Sequence, residues 1–169
     1  MDRCGKSGFD ERGAAGYRIV VGLLALGACL FAAGPAAFAR RPPPPTNETV
    51  AVLNQINAER ASQRTPPLAL DGQLTSVAQA YANDMARRNF FSHVSPEGLD
   101  PFARMRRAGY RFGYAGENIA FNVDAVRAQI TVWNDPPHRH VLVNPHFSRV
   151  GIGTARGRNG VILVEDFSD

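Results

Sequence analysis

Hydrophobic residues along this chain recur at two spacings, and the change from one to the other marks out its elements. Leu74, Val77, Ala78, Tyr81, Ala82 and Met85 fall at i, i+3, i+4, i+7, i+8 and i+11, which predicts one buried face of an amphipathic helix. Arg87 and Arg88 follow it, where they suit the negative end of the helix dipole. Upstream, Asn47 is expected to cap a helix running to about Arg64. Its stripe is read as Val50, Leu53 and Ile56, extended by the aliphatic stem of Arg60. Asn57 lies on nearly the same face, as a buried amide that needs partners. "TPPLALD" (residues 65–71) breaks this helix and offers a short extended piece.

Downstream, Asp100 followed by Pro101 starts a third helix and Gly109 stops it. Phe102 and Met105 are expected to point inward, while Arg104, Arg107 and Arg111 read as a solvated face, with a site for anionic ligands as the alternative. Asn122 is expected to cap a fourth helix with Val126, Ile130 and Trp133 at helical spacing; Trp133 is read as core. "NDPPHRH" (residues 134–140) ends it. The period then changes. "RVGIGTA" (149–155) and "GVILVEDF" (160–167) read as strands joined by a hairpin loop, "RGRNG". Four helices and a small antiparallel sheet predict a layered α+β domain.

One segment fits neither spacing. Residues 19–39, "IVVGLLALGACLFAAGPAAFA", are uncharged and follow Arg12 and Arg18. An apolar core behind a basic flank, closed by Ala37, Phe38 and Ala39, reads as a secretory signal cut after Ala39. An uncleaved membrane anchor and a lipoprotein lipidated at Cys29 are the two rivals. All three export the remainder, which divides into a stiff Pro-rich linker at 40–46 and one domain at 47–169.

Composition narrows the chemistry. Cys4 and Cys29 both precede residue 40, so the domain has no thiol for a disulfide, a nucleophile or a thiolate metal site. From residue 40 onward the chain carries 15 Arg, no Lys and 12 acidic residues, a formal charge of +3. This suits weak attraction to anionic envelope polymers, and no interleaving of aromatic and basic residues points to nucleic acid.

Three islands combine a titratable group with helix-breaking residues: His93 in "FSHVSPEG", Glu117 in "AGENIAF" and His138 in "DPPHRH". Gly116 is expected to let the backbone turn sharply before Glu117. Two imidazoles and a carboxylate can hold zinc or another divalent metal, or can serve as acid and base. Each also has a plain reading: His93 as a cap on the second helix's carbonyls, Glu117 as the partner of an Arg, and at least two of His138, His140 and His146 as surface rings. Ser92 has no GxSxG context, which argues against a serine hydrolase.

Taken together, "LNQINAER" (53–60), "FSHVSPEGLDPFARMRRAGY" (91–110), "GENIA" (116–120), "HRHVLVNPHFSRVGIG" (138–153) and "VEDF" (164–167) occur in the order seen in the CAP superfamily. The chain resembles a bacterial SCP-like member of that group, over nearly all of the exported domain. The resemblance implies a secreted α-β-α sandwich with a cleft where histidines and glutamates converge. By motif, His93 matches the first family histidine, Glu117 the GEN glutamate and His138 the histidine of the usual GHR segment. Ser92, Asn118 and Asp135 are secondary candidates beside them. This sequence departs from the pattern in lacking a second glutamate after Trp133, where only Asp135 is nearby, and in carrying Pro137 before His138. The function expected from the resemblance is a binding module for a lipid, sterol or cell-envelope component. A metal-dependent hydrolase, with His93 and His138 as ligands and Glu117 as ligand or base, is one alternative. A structural envelope protein with a vestigial cleft is the other.

Overall fold

A computed structural model describes residues 44–169. The leader, with its signal, anchor and lipidation readings, and most of the linker lie outside the described residues. The chain order is α1 (Asn47–Ser62), β1 (Ala69–Leu70), α2 (Gly72–Arg88), α3 (Pro101–Arg107), β2 (Ala115–Asn122), α4 (Ala125–Asn134), α5 (Pro136–Leu142), β3 (Arg149–Arg156) and β4 (Val161–Ser168).

β4 explains the layering. Its sequence, VILVEDFS, is buried at every position, as a strand covered on both faces must be. It pairs antiparallel with β2 on one side and β3 on the other, and β1 adds two parallel residues beyond β3. Side chains alternate between the faces. Val161, Leu163 and Phe167 join α1, α4 and α5 in one core, while Ile162 and Val164 join Ala78, Tyr81 and Met85 of α2 in another. The result is the expected α-β-α sandwich.

α2 buries every residue of its expected stripe. It lies directly on β3, because Gly151 and Gly153 carry no side chain there. A Cβ at Gly151 would stand 2.2 Å from the backbone carbon of Leu74, and one at Gly153 would stand 2.3 Å from that of Ala78. The helix ends on Asn89, whose left-handed backbone sends its N–H to the Met85 carbonyl. His93 is therefore not the cap.

Several local expectations are corrected. Thr46, not Asn47, caps α1, its hydroxyl accepting from the Thr49 N–H. The buried face of α1 is Thr49, Val52, Ile56 and Arg60, and Val50 is exposed. Arg60 buries its charged head as well as its stem. The half-buried Asn57 finds both its partners on Leu68, donating to the carbonyl and accepting from the N–H. On α3, Met105 is buried but Phe102 points outward. Asp124, not Asn122, caps α4, whose buried face is Ala125, Ala128, Gln129 and Val132, with Val126 and Ile130 exposed and Trp133 half-buried against the core. Pro136 and Pro137 open α5 instead of merely closing α4, since proline at the first helical positions loses no hydrogen bond. Residues 115–122 form a strand, so Gly116 makes no sharp turn; a Cβ there would press within 2.9 Å of the Phe147 ring.

Candidate functional site

β2 is an edge strand, and its register sets the site. Glu117 lies opposite Asp166 and Asn118 opposite Glu165. The alternation sends Glu117 to the α2 face and Asn118 to the face covered by α5. Ile119 and Ala120 repeat this division, one packing with α2 and the other with α4.

The Glu117 side chain is only 1% exposed, and both its oxygens are engaged. Oε1 lies 2.7 Å from His93 Nδ1, and Oε2 accepts from the Arg104 guanidinium. Arg104 also donates to the backbone carbonyls of His93 and Leu99, at 2.8 and 2.9 Å. Its guanidinium carbon sits 3.3 Å from the centroid of the Tyr81 ring, an arrangement favoured by the negative face of the aromatic system. The Tyr81 hydroxyl, pushed up to about 12 chiefly by burial, donates to the Ser92 carbonyl. The loop that carries His93 is thus strapped to α2 and α3. Its ring stays 48% exposed. Arg104, expected on a solvated face, is instead the cation of the site.

Two further acids are buried on β4, one on each face of the sheet. Burial, and then the neighbouring negative charge of Glu117, push the Asp166 carboxyl well above the usual range. Neither of its oxygens has a hydrogen-bond partner among the described residues. On the opposite face, burial pushes Glu165 up to about 8, partly offset by the Asn118 amide. Asn118 Nδ2 donates both to Glu165, at 3.3 Å, and to the backbone carbonyl of His138, at 3.2 Å. "VEDF" is legible as a motif, but which of its acids lie beneath the site follows only from the β2–β4 register.

His138 reaches β2 through that carbonyl. Its ring is turned to Asp135, whose carboxylate meets Nδ1 at the start of α5. Among the described residues no hydrogen bond or ion pair joins the His138 ring to His93 or Glu117. Ser92 is exposed and uses its hydroxyl to accept from the Val94 N–H. His140 and His146 are exposed, and His146 stacks against Tyr114.

This donor set falls short of a metal site. Glu117 already balances Arg104, whose positive charge opposes a second cation at the same carboxylate. Among the described residues no group of three or more His, Cys, Asp or Glu is placed to hold an ion. One feature does suit a metal: each imidazole presents Nδ1 to a carboxylate, the usual orientation of a histidine that ligates through its other nitrogen.

The class of domain is an α-β-α sandwich whose edge strand carries a buried glutamate paired with a histidine. Residues 53–167 match the family described as CAP, the cysteine-rich secretory protein family, and the chain belongs to it. The Bacillus subtilis protein YkwD is 37% identical over 117 residues, 69% of this chain and 45% of that protein. The B. subtilis membrane protein YlbC is 32% identical over 106 residues, 62% of this chain and 31% of its own. The chain thus spans less than half the length of these curated relatives. Among solved structures, an extracellular protein of Bacillus anthracis containing an SCP domain aligns with a TM-score of 0.64 at 28% identity, covering 75% of this chain and 44% of that one. An outer surface protein of Borrelia burgdorferi shares the fold, with a TM-score of 0.67 at 22% identity over 72% of this chain and 92% of its own. Among the described residues no helix is long and apolar enough to cross a membrane.

Proposed function

We propose that this CAP domain is exported and acts as a binding module, engaging a lipid, sterol or other cell-envelope component at the surface around His93 and Glu117, with His138 as a further contact. The supporting observation is the His93–Glu117–Arg104 network. It holds a half-exposed imidazole rigidly over a buried carboxylate whose charge is already balanced. Such a group is oriented to donate or accept hydrogen bonds. The Glu117 carboxylate is already paired with Arg104, which opposes its acting as a base. Export is supported by the apolar leader and by relatives whose names describe extracellular and outer-surface proteins. The test is retention of the full chain on isolated envelope fractions, on vesicles of defined lipids and on peptidoglycan. Retention by at least one of these, weakened at least tenfold by Glu117→Gln, is expected. Failure of every fraction to retain the folded protein overturns the proposal.

A metal-dependent hydrolase is the second reading, favoured by the two carboxylate-oriented imidazoles. Zinc titration separates the two. Stoichiometric zinc binding lost on both His93→Ala and His138→Ala, and weakening as imidazoles protonate, would put the metal reading first. Binding indifferent to both substitutions would remove it.

A further inference from the structure

A groove of about 730 Å³ lies between α2 and α3, walled on one side by the loop that follows His93. That volume lies within the roughly 300–1,000 Å³ range of small-molecule sites. Its inner surface is mostly apolar, formed by Val77, Ala80, Tyr81, Leu99 and Ala108. One end is tied shut, because Gln73 on α2 donates to the Ala108 carbonyl at the end of α3. Arg104 lines this groove and also holds Glu117.

The charges on the rim are unequally satisfied. Asp84 is held by Arg87 and Arg88, and Glu97 is held by Arg88 at 2.6 Å. Arg104 is balanced by Glu117. Arg107 is exposed and has no ion pair or side-chain hydrogen bond among the described residues. Among the described residues this is an apolar trough whose acidic rim is already neutralised and whose remaining charge is one unpaired guanidinium, and that combination selects for a particular chemistry. A neutral apolar molecule would leave that guanidinium unused. A cationic one would meet it unfavourably.

We infer that the α2–α3 groove is a binding site for an apolar organic anion: an aromatic or alicyclic body seated against Val77, Tyr81 and Leu99, with a carboxylate, sulfonate or phosphate reaching Arg107. Neither His93 nor Glu117 lines this groove. This site does not rest on the envelope-binding proposal, because the two are read by different assays on different variants.

The test uses the full chain and the dye 8-anilinonaphthalene-1-sulfonate, with N-phenyl-1-naphthylamine as its uncharged counterpart. The sulfonate should bind saturably with one-to-one stoichiometry, about tenfold more tightly than the neutral dye. Ala80→Trp places a bulky ring in the groove from an exposed position of α2 and should weaken binding at least tenfold. Arg107→Glu, also at an exposed position, should weaken the sulfonate about tenfold and leave the neutral dye within about twofold. Arg107→Lys should restore most of the affinity, because it keeps the charge. Thermal melts confirm that each variant is folded. Sulfonate binding indifferent to both Ala80→Trp and Arg107→Glu would place the dye elsewhere and overturn the inference. So would binding without fixed stoichiometry, the absence of saturable binding, or equal affinity for the two dyes.

Discussion

Two arginines in this domain solve the cost of burying a charge in opposite ways. Arg60, on α1, is fully buried and meets no acid among the described residues. Its guanidinium donates to the backbone carbonyls of Pro66, Leu142, Asn144 and Phe147, at 2.7, 2.6, 3.1 and 3.2 Å. Arg104, on α3, is 10% exposed and is matched by the Glu117 carboxylate, two carbonyls and the face of Tyr81. The first charge is answered by fixed dipoles with no proton to exchange, so it serves as a clamp joining α1 to the segment between α5 and β3. The second is answered by a carboxylate under a half-exposed imidazole, so its surroundings reach solvent and can meet a ligand. Complete burial marks the arginine that holds the fold. Partial burial beside a carboxylate marks the one that builds a site.

Four measurements break or sharpen this contrast. Arg60→Ala should have the largest effect, a loss of about 3–5 kcal/mol of unfolding free energy by chemical denaturation, because four carbonyls lose their donor and a cavity is left. A loss under about 1 kcal/mol would show that Arg60 is not a clamp. Arg104→Met should cost less, about 2–3 kcal/mol at pH 8, by leaving the Glu117 carboxylate buried without its cation. A loss under about 1 kcal/mol would show that Arg104 is not needed to balance the buried carboxylate.

Glu165→Gln comes next. The folded protein holds this proton up to about 8, whereas the unfolded chain releases it near 4.5. The native state therefore binds more protons across that window, and its stability falls as pH rises. The amide removes this slope, so the variant should gain on the wild type by about 1–3 kcal/mol between pH 5 and pH 8. Parallel pH profiles would show that Glu165 is not protonated in the fold. His93→Ala should have the smallest effect, within about 0.5 kcal/mol, because its ring is half in water. A larger loss would move His93 from the site into the framework.

Part of this organisation is legible in the sequence, and the rest is hidden for identifiable reasons. α2 is readable throughout, because one stripe alone satisfies its period. In α1 and α4 two neighbouring stripes compete. In α1 the expected Ile56 and Arg60 are buried but Val50 loses its place to Thr49 and Val52; in α4 Val126 and Ile130 lose to a stripe containing Gln129, whose partner Glu59 lies on α1. The Asp-Pro signal that finds α3 also stands at Asp135 and Pro136, where it opens α5 although the segment reads as a helix end. β2 reads as a turn because Gly116, Glu117 and Asn118 are poor strand formers. Only its neighbour β4 makes it a strand. His93, Glu117 and His138 are legible from their motifs. Arg104 is not, since nothing local distinguishes it from Arg106 or Arg107, and its role appears only when β2 brings Glu117 beneath it.

The bare backbone contact at Gly151 and Gly153 bears on both candidate sites. With no side chains between them, helix and strand meet backbone to backbone, and a methyl group added at either glycine would push α2 outward. Val77, Ala80 and Tyr81 ride on that helix, and Tyr81 holds the segment bearing His93 through the Ser92 carbonyl. An alanine at position 151 or 153 would therefore disturb the groove and the His93 loop together, from a strand that touches neither.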